Sequence, residues 1–444
     1  MGKNRMIRNS LKAHLLAAAA VAALAVPVTA HAAGYALKEQ SVSGQGTSFA
    51  GVTAGGNGDA SAMFFNPAAM GLVQGGQIVQ TFTGVLPYSK AESVTATRAT
   101  RAGGSRIAGS TDPGDAANDA IVPAGYFVYS ISNDLKVGLS ANGPWGLVTD
   151  YGAGWAGRYH GIRSDLRTYN FTPTVSYRVL PQLTVGAGLQ VQYAKAKLSQ
   201  ASDFALRRGL PPGSLDITSD MVGDDWGFGA TAGILYEPMK GTRLGLSYRS
   251  SVKHTLKGTL SFDAPAALRA ALPNQGISAD METPDIVSFG AYHEINDRWA
   301  VMADVQWTNW SKFKELRVNA ANPAFNAVTE ENWKDSWFYS LGTSYKATDA
   351  LTLRAGIAYD QTPIPNEFRT PRIPDEDRLW LSIGAGYKVT EWIQVDAAYT
   401  HIFVKNSSVD LRDNLTGPNT GRGNLTVNYK NHVDLIGLQA RISF

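Results

Sequence analysis

The chain has 444 residues, of which 17% are charged and 10% aromatic, with 45 glycines, no cysteine and a formal net charge of +3. The missing cysteine excludes disulfide stapling, thiol chemistry, cysteine-held metals and a lipidated N-terminus. The near-neutral balance, with no basic run interleaved with aromatics, argues against a nucleic-acid partner.

Residues 1–32 read as an export signal. Lys3, Arg5, Arg8 and Lys12 form a basic start, and Leu15 to Val28 an apolar run too short and alanine-rich for a spanning helix. Ala30-His31-Ala32 is a small-x-small cleavage pattern, so the mature chain is expected to begin at Ala33. No other apolar stretch is long enough to cross a bilayer as a helix. Membrane residence must therefore come from strands.

Residues 33–75 show no sustained alternation and are dense in glycine, at 44, 46, 51, 55, 56 and 58. Two readings are open, a flexible periplasmic tail or a compact plug (hatch) inside a barrel. Asn66-Pro67-Ala68-Ala69-Met70-Gly71 favours the second, because Asn is a strong N-cap, Pro suits the first helical position and Gly closes a short turn. Met63, Phe64 and Phe65 would also be poorly placed in free solvent.

From residue 76 onward, apolar and polar residues alternate with the period of two that a strand imposes. Leu183, Val185, Ala187, Leu189, Val191 and Tyr193 share one face; Thr184, Gly186, Gly188, Gln190 and Gln192 share the other. The same holds for Trp299 to Thr308, Leu351 to Tyr359 and Ile393 to Thr400, often with aromatics at the ends. Fourteen strands follow, over roughly 76–85, 121–131, 135–145, 167–179, 182–198, 225–237, 241–258, 284–295, 298–314, 334–346, 350–360, 378–389, 391–405 and 430–444. Short turns such as Ser132-Asn133-Asp134 and Asn296-Asp297 alternate with long irregular stretches such as 146–166, 199–224 and 361–377. An even strand count, alternating turn lengths and terminal aromatics predict an all-β, 14-stranded antiparallel transmembrane β-barrel over 76–444, in the outer membrane of a bacterium. The last strand runs to Phe444, the end that the barrel assembly machinery would engage. Outer-membrane lipids and lipopolysaccharide would surround the wall.

In the long loops, Trp155, Tyr159, Ile162 and Phe204-Ala205-Leu206 offer apolar area for capturing a greasy ligand, with loop-on-loop packing as the alternative. Catalysis finds little support: the histidines at 160, 254, 293, 401 and 432 are scattered, and no Gly-x-Ser-x-Gly elbow is present. No cofactor motif is found. Asp375-Glu376-Asp377 reads as a solvated loop face rather than a metal site. A general diffusion porin stays open as an alternative, against which the glycine-rich segment 33–75 argues.

Several stretches, in order, resemble the FadL family of outer-membrane long-chain fatty acid transporters (OmpP1/FadL/TodX), whose relatives include aromatic-hydrocarbon transporters. They are Ala33-Gly34-Tyr35-Ala36-Leu37, Asn66-Pro67-Ala68, Asp225-Trp226-Gly227-Phe228-Gly229 with Ala232-Gly233-Ile234-Leu235-Tyr236, Leu246-Ser247-Tyr248-Arg249-Ser250, Trp310-Ser311-Lys312-Phe313, and Ile373-Pro374-Asp375-Glu376-Asp377-Arg378. The resemblance implies a monomeric barrel closed by an N-terminal hatch, a pocket for a long-chain fatty acid or hydrocarbon, and a side opening where a kink breaks the third strand. That kink would fall at Asn142-Gly143-Pro144, where Pro cannot donate a ladder hydrogen bond. A carboxylate head needs a cation, and the resemblance implies Arg317 for it, with Lys195 and Lys197 as weaker candidates. Where a family arginine is expected nearby, the chain has Gln200, which leaves room for neutral hydrocarbons.

Overall fold

The computed structural model describes residues 33–414 and 417–444, so the expected signal peptide lies outside the described residues. Alternation along the sequence becomes a ring of staves. In chain order these are β1 (Gly76–Thr97), β2 (Ala120–Ser130), β3 (Leu135–Asn142) with β4 (Gly146–Asp150), β5 (Arg163–Leu180), β6 (Leu183–Asp203), β7 (Asp216–Met239), β8 (Thr242–Arg249) with β9 (Lys253–Asp263), and β10 (Gln275–Glu282) with β11 (Ile286–Glu294). There follow β12 (Trp299–Thr308) with β13 (Glu315–Ala320), β14 (Ala327–Glu330) with β15 (Ser336–Lys346), β16 (Leu351–Asp360), β17 (Arg378–Lys388), β18 (Ile393–Val404) with β19 (Ser407–Leu411), and β20 (Asn424–Ser443). Each pair joined by "with" is one interrupted stave, so the twenty segments make the fourteen strands expected from the sequence.

Neighbours are antiparallel, and β1 closes the ring on β20 from Gln77↔Ser443 to Thr97↔Asn424. The seam is locked where the Gly76 N–H donates to the Phe444 carbonyl (2.6 Å) and the Phe444 N–H to Gly76 (2.8 Å). Short turns lie at one rim. Ser132, Asn296, Thr348 and Thr390 each accept N–H bonds from residues two and three ahead, the side-chain turn that these residue types favour.

At the other rim the strands are longer than alternation indicated: β1 reaches Thr97 rather than 85, and β7 starts at Asp216 rather than 225. Above the bilayer both faces meet water or loops, so the two-residue hydropathy signal disappears while the hydrogen-bond ladder continues. The outer belt is apolar, with Leu189, Phe228, Leu341, Ile383 and Leu438 all more than half exposed. Aromatic girdles bound it, with Tyr129, Tyr177, Tyr236, Trp299, Tyr387 and Trp392 at the turn rim and Trp226, Tyr248, Trp337, Tyr359 and Tyr399 at the loop rim. Several loop-rim rings hold an aspartate just above them: Tyr248 donates to Asp285 (2.8 Å), Tyr359 to Asp377 (2.9 Å) and Tyr399 to Asp434 (2.6 Å).

Much of the inward face is polar, and residues 33–75, most of them buried, pack against it. Pro67–Leu72 is a short 3-10 helix capped by Asn66, which accepts from the Ala68 N–H (2.9 Å) and donates to the carbonyls of Thr53 (2.7 Å) and Ile234 on β7 (3.0 Å). Wall glycines admit this close approach: a Cβ on Gly233 would collide with Asn66, and one on Gly356 with the backbone of Thr47. Met63 is buried against the wall, and the Arg249 guanidinium lies 4.3 Å over the Phe64 ring.

Beside this segment, Arg354 on β16 and Asp396 on β18 form an ion pair (2.8 Å) in which neither side chain is more than 2% exposed. Gln394 and Gln439 also donate to Asp396. Arg354→Met removes one partner and leaves a buried carboxylate uncompensated. It is expected to cost roughly 3–5 kcal/mol, read as a lower temperature for the heat-induced mobility shift on gels; an unchanged midpoint would contradict this.

Candidate functional site

An apolar cavity of about 860 Å³, counting its open mouth, lies under the loops against the inner face of β6, β9, β10 and β13. Ala196, Leu198, Leu256, Met281, Phe313 and Leu316 make its greasy wall. Its lining is mostly apolar with a few polar anchors, the composition usual for small-molecule sites.

The anchors come from three places. Arg372, in the loop between β16 and β17, folds inward until it is 7% exposed. Its guanidinium donates to the Arg163 carbonyl (3.1 Å), the Ser164 hydroxyl (2.9 Å), the Ser199 carbonyl (3.4 Å) and Gln200 Oε1 (3.1 Å). None of these partners carries a charge. Burial, helped by the nearby Arg422 cation, lowers its pKa to about 10, so it remains a cation at neutral pH. Glu331, directly after β14, is the second anchor, and its Oε2 accepts from Trp333 Nε1 (2.8 Å). The third is Tyr35 of the N-terminal segment, whose ring is wedged edge-on between Trp310 (4.6 Å), Trp145 (5.9 Å) and Phe313 (5.9 Å).

Tyr35 also connects the cavity to a break in the wall. β3 ends at Asn142 and β4 starts at Gly146; three residues there oppose two on β5, since Asn142 pairs with Asn170 and Gly146 with Arg167. Gly143, Pro144 and Trp145 are the interruption. On the other side, β2 pairs with β3 only from Gly125↔Ala141 downward, so Ala120 to Ala124 have partners on β1 alone. The gap is backed from inside by the N-terminal segment. The Leu37 N–H donates to Pro144 (2.8 Å), the Gly146 N–H to Tyr35 (2.9 Å) and Gln40 Nε2 to Gly143 (2.8 Å). The Gly34 N–H donates to Asp375 (3.1 Å).

The kink residues Asn142, Gly143 and Pro144 therefore sit at a real interruption, and Asn66, Pro67 and Ala68 lie against the lumen wall. Other placements differ from expectation. Lys195 and Lys197 turn outward, because on β6 they alternate with Ala196 and Leu198, which face the cavity. Arg317 stays half exposed and is held by Glu315 on its own strand (2.6 and 3.1 Å), at the rim of an outer cleft. Trp155, Tyr159 and Ile162 are buried rather than presented to solvent; Trp155 stacks on Tyr151 (4.2 Å, 15°), and the Tyr159 hydroxyl donates to Asp216 (2.7 Å), in a core formed between loops. Tyr159, Phe204, Leu206 and Gln200 do line the outer cleft, of about 2230 Å³ including open solvent. Asp375 and Glu376 are not a solvated face but are buried against Arg378 and Arg369. Sequence reasoning missed Arg372. Its one signal was its place between two prolines, adjoining the Ile373-to-Arg378 motif.

Residues 23–444 match the family of outer membrane protein transport proteins (OMPP1/FadL/TodX). The chain is 34% identical to a 47 kDa outer membrane protein of Pasteurella multocida, covering 91% of this chain and 94% of that one. It is 32% identical to the long-chain fatty acid transport protein of Salmonella typhi, over 87% and 91% of the two chains. Among solved structures, a Pseudomonas aeruginosa FadL homologue superposes with a TM-score of 0.86 at 26% identity, covering 93% of this chain and all (100%) of that one. The toluene transporter TodX of P. putida has the same fold at 18% identity (TM-score 0.66; 87% and 94% covered).

Proposed function

Because this chain belongs to the OMPP1/FadL/TodX family of outer-membrane transport proteins, we propose that it carries long-chain fatty acids passively across the outer membrane. Arg372 carries this reading: a buried cation that forms no ion pair among the described residues stands at the polar end of an apolar cavity. Each buried methylene contributes about 0.8 kcal/mol, enough for a long acyl chain to offset the cost of association. A neutral hydrocarbon would fill the same wall but leave the guanidinium without a counter-charge, so the acid is favoured.

Transfer is stepwise. A ligand lands in the outer cleft at Phe204 and Leu206, moves into the cavity, and places its carboxylate on Arg372. Residues 33–75 act as the hatch; displacement of Tyr35 to Gln40 uncovers the gap at Gly143 and Pro144, through which the ligand leaves sideways into lipid. No step makes or breaks a covalent bond.

Uptake of radiolabelled oleate by cells lacking their own transporter tests the reading; uptake no greater than with an empty vector rejects it. Straightening β3, by deleting Gly143 and replacing Pro144 with Val, restores a ladder donor and closes the gap. This variant is expected to bind oleate normally and to lower uptake at least about tenfold. Equal uptake would rule out the lateral route.

A further inference from the structure

Among the described residues, one polar group on the cavity wall has no partner and a second has a single one. The Tyr35 hydroxyl is buried without a hydrogen bond, and its residue is 3% exposed. Glu331, 6% exposed, uses one oxygen for Trp333 Nε1, and among the described residues no cation pairs with it. Arg372 lines the same cavity, yet no ion pair joins it to Glu331. An unpaired hydroxyl, a cation whose hydrogen-bond partners are all neutral and a carboxyl outside any ion pair thus face one cavity, and an occupant that answers all three would relieve the cost of burying them.

We propose that Glu331, as a carboxylic acid, and the Tyr35 hydroxyl are the donating half of the head-group site, so that the cavity holds a carboxylate between Arg372 and a protein-borne proton. The inference rests on the fatty-acid reading and adds the residues that determine its specificity. An ionised Glu331 would instead repel the head that Arg372 attracts.

The surroundings support this division. Burial pushes the Glu331 carboxyl up to about 8, against the pull of the Trp333 N–H and the Arg372 charge. Burial, and then the Glu331 charge, raise the Tyr35 phenol far above its ordinary value, so it donates throughout the physiological range. Of the other charged groups near the site, Asp165 on β5 is engaged by Arg163 and Arg167, and Glu282 on β10 by Lys312. Arg422 of the last loop acts on Arg372. The sign follows from linkage: binding needs the proton on Glu331, so affinity holds below about pH 8 and is lost above it.

The test is binding of decanoate, ionised throughout the range, to the purified full-length barrel at pH 7 and pH 9, with 1-decanol as the neutral control. Wild-type protein is expected to bind decanoate about tenfold more weakly at pH 9, with 1-decanol unchanged. Glu331→Gln should abolish the pH dependence, and Tyr35→Phe should weaken decanoate about fivefold at both pH values while keeping the ratio. A flat wild-type profile, or a tenfold loss that survives in Glu331→Gln, overturns the proposal. Failure of wild-type protein to bind decanoate at either pH overturns the head-group reading beneath it as well.

Discussion

Arg372→Met is expected to weaken binding of oleate about a hundredfold while leaving oleyl alcohol within about twofold of wild type. The guanidinium is buried, and its four hydrogen-bond partners are all neutral, so its charge is unspent until a ligand arrives. A hydrogen bond to a charged group contributes about 1.5–3 kcal/mol, and stranding a buried carboxylate adds to the loss. Methionine keeps the length and apolar packing of the side chain, which separates charge from shape. Lysine should recover only part of the affinity, because a point charge cannot keep the planar fork on Ser164, Gln200 and the ligand together. Equal loss for acid and alcohol would mean that the substitution had collapsed the cavity rather than removed a head-group partner.

Deletion of residues 34–72 should turn a closed barrel into a conducting one. That stretch supplies the Asn66 contacts to β7, the Leu37 and Gln40 bonds behind the kink, and Tyr35 itself. Without it the polar inner face, including the Arg354–Asp396 pair, would fill with water. Ion conductance in planar bilayers is expected to rise at least about tenfold, as for wide barrels with an aqueous lumen. Oleate affinity should fall at the same time, because Tyr35 is part of the cavity wall. Gly233→Leu offers a gentler version, since the added side chain would occupy the space of Asn66. Conductance unchanged by the deletion would deny residues 33–75 a closing role.

The barrel was legible because lipid enforces the pattern: each membrane-facing position must be apolar, and the period of two survives in Leu183 to Tyr193 and in Ile436 to Phe444. That rule also locates an error made from the sequence. Lys195 and Lys197 continue the parity of Val191 and Tyr193, so alternation alone assigns them to the outside, whereas Ala194, Ala196 and Leu198 face in. The capture residues were harder. Apolar side chains in a long loop read as a sticky surface, but Trp155 and Ile162 are covered by other loops that no local pattern reveals. Arg372 is a longer-range case. Its contacts lie about two hundred residues away on β5 and β6, and only the inward fold of its own loop brings them together. The kink was readable because Pro144 breaks a ladder wherever it falls; that residues 35–40 would back it was not, since their partners are backbone atoms.

For a ligand to pass sideways, the N-terminal segment must leave the wall gap. Ala36 and Trp145 face each other in an isolated antiparallel bridge, a spacing that a disulfide can span. The chain has no cysteine of its own, so a double variant, Ala36→Cys with Trp145→Cys, places a single reducible lock across the gap. The oxidised protein is expected to bind oleate still but to transport none, and adding reductant to the same cells is expected to restore uptake. Uptake that proceeds equally with the lock closed and open would contradict this.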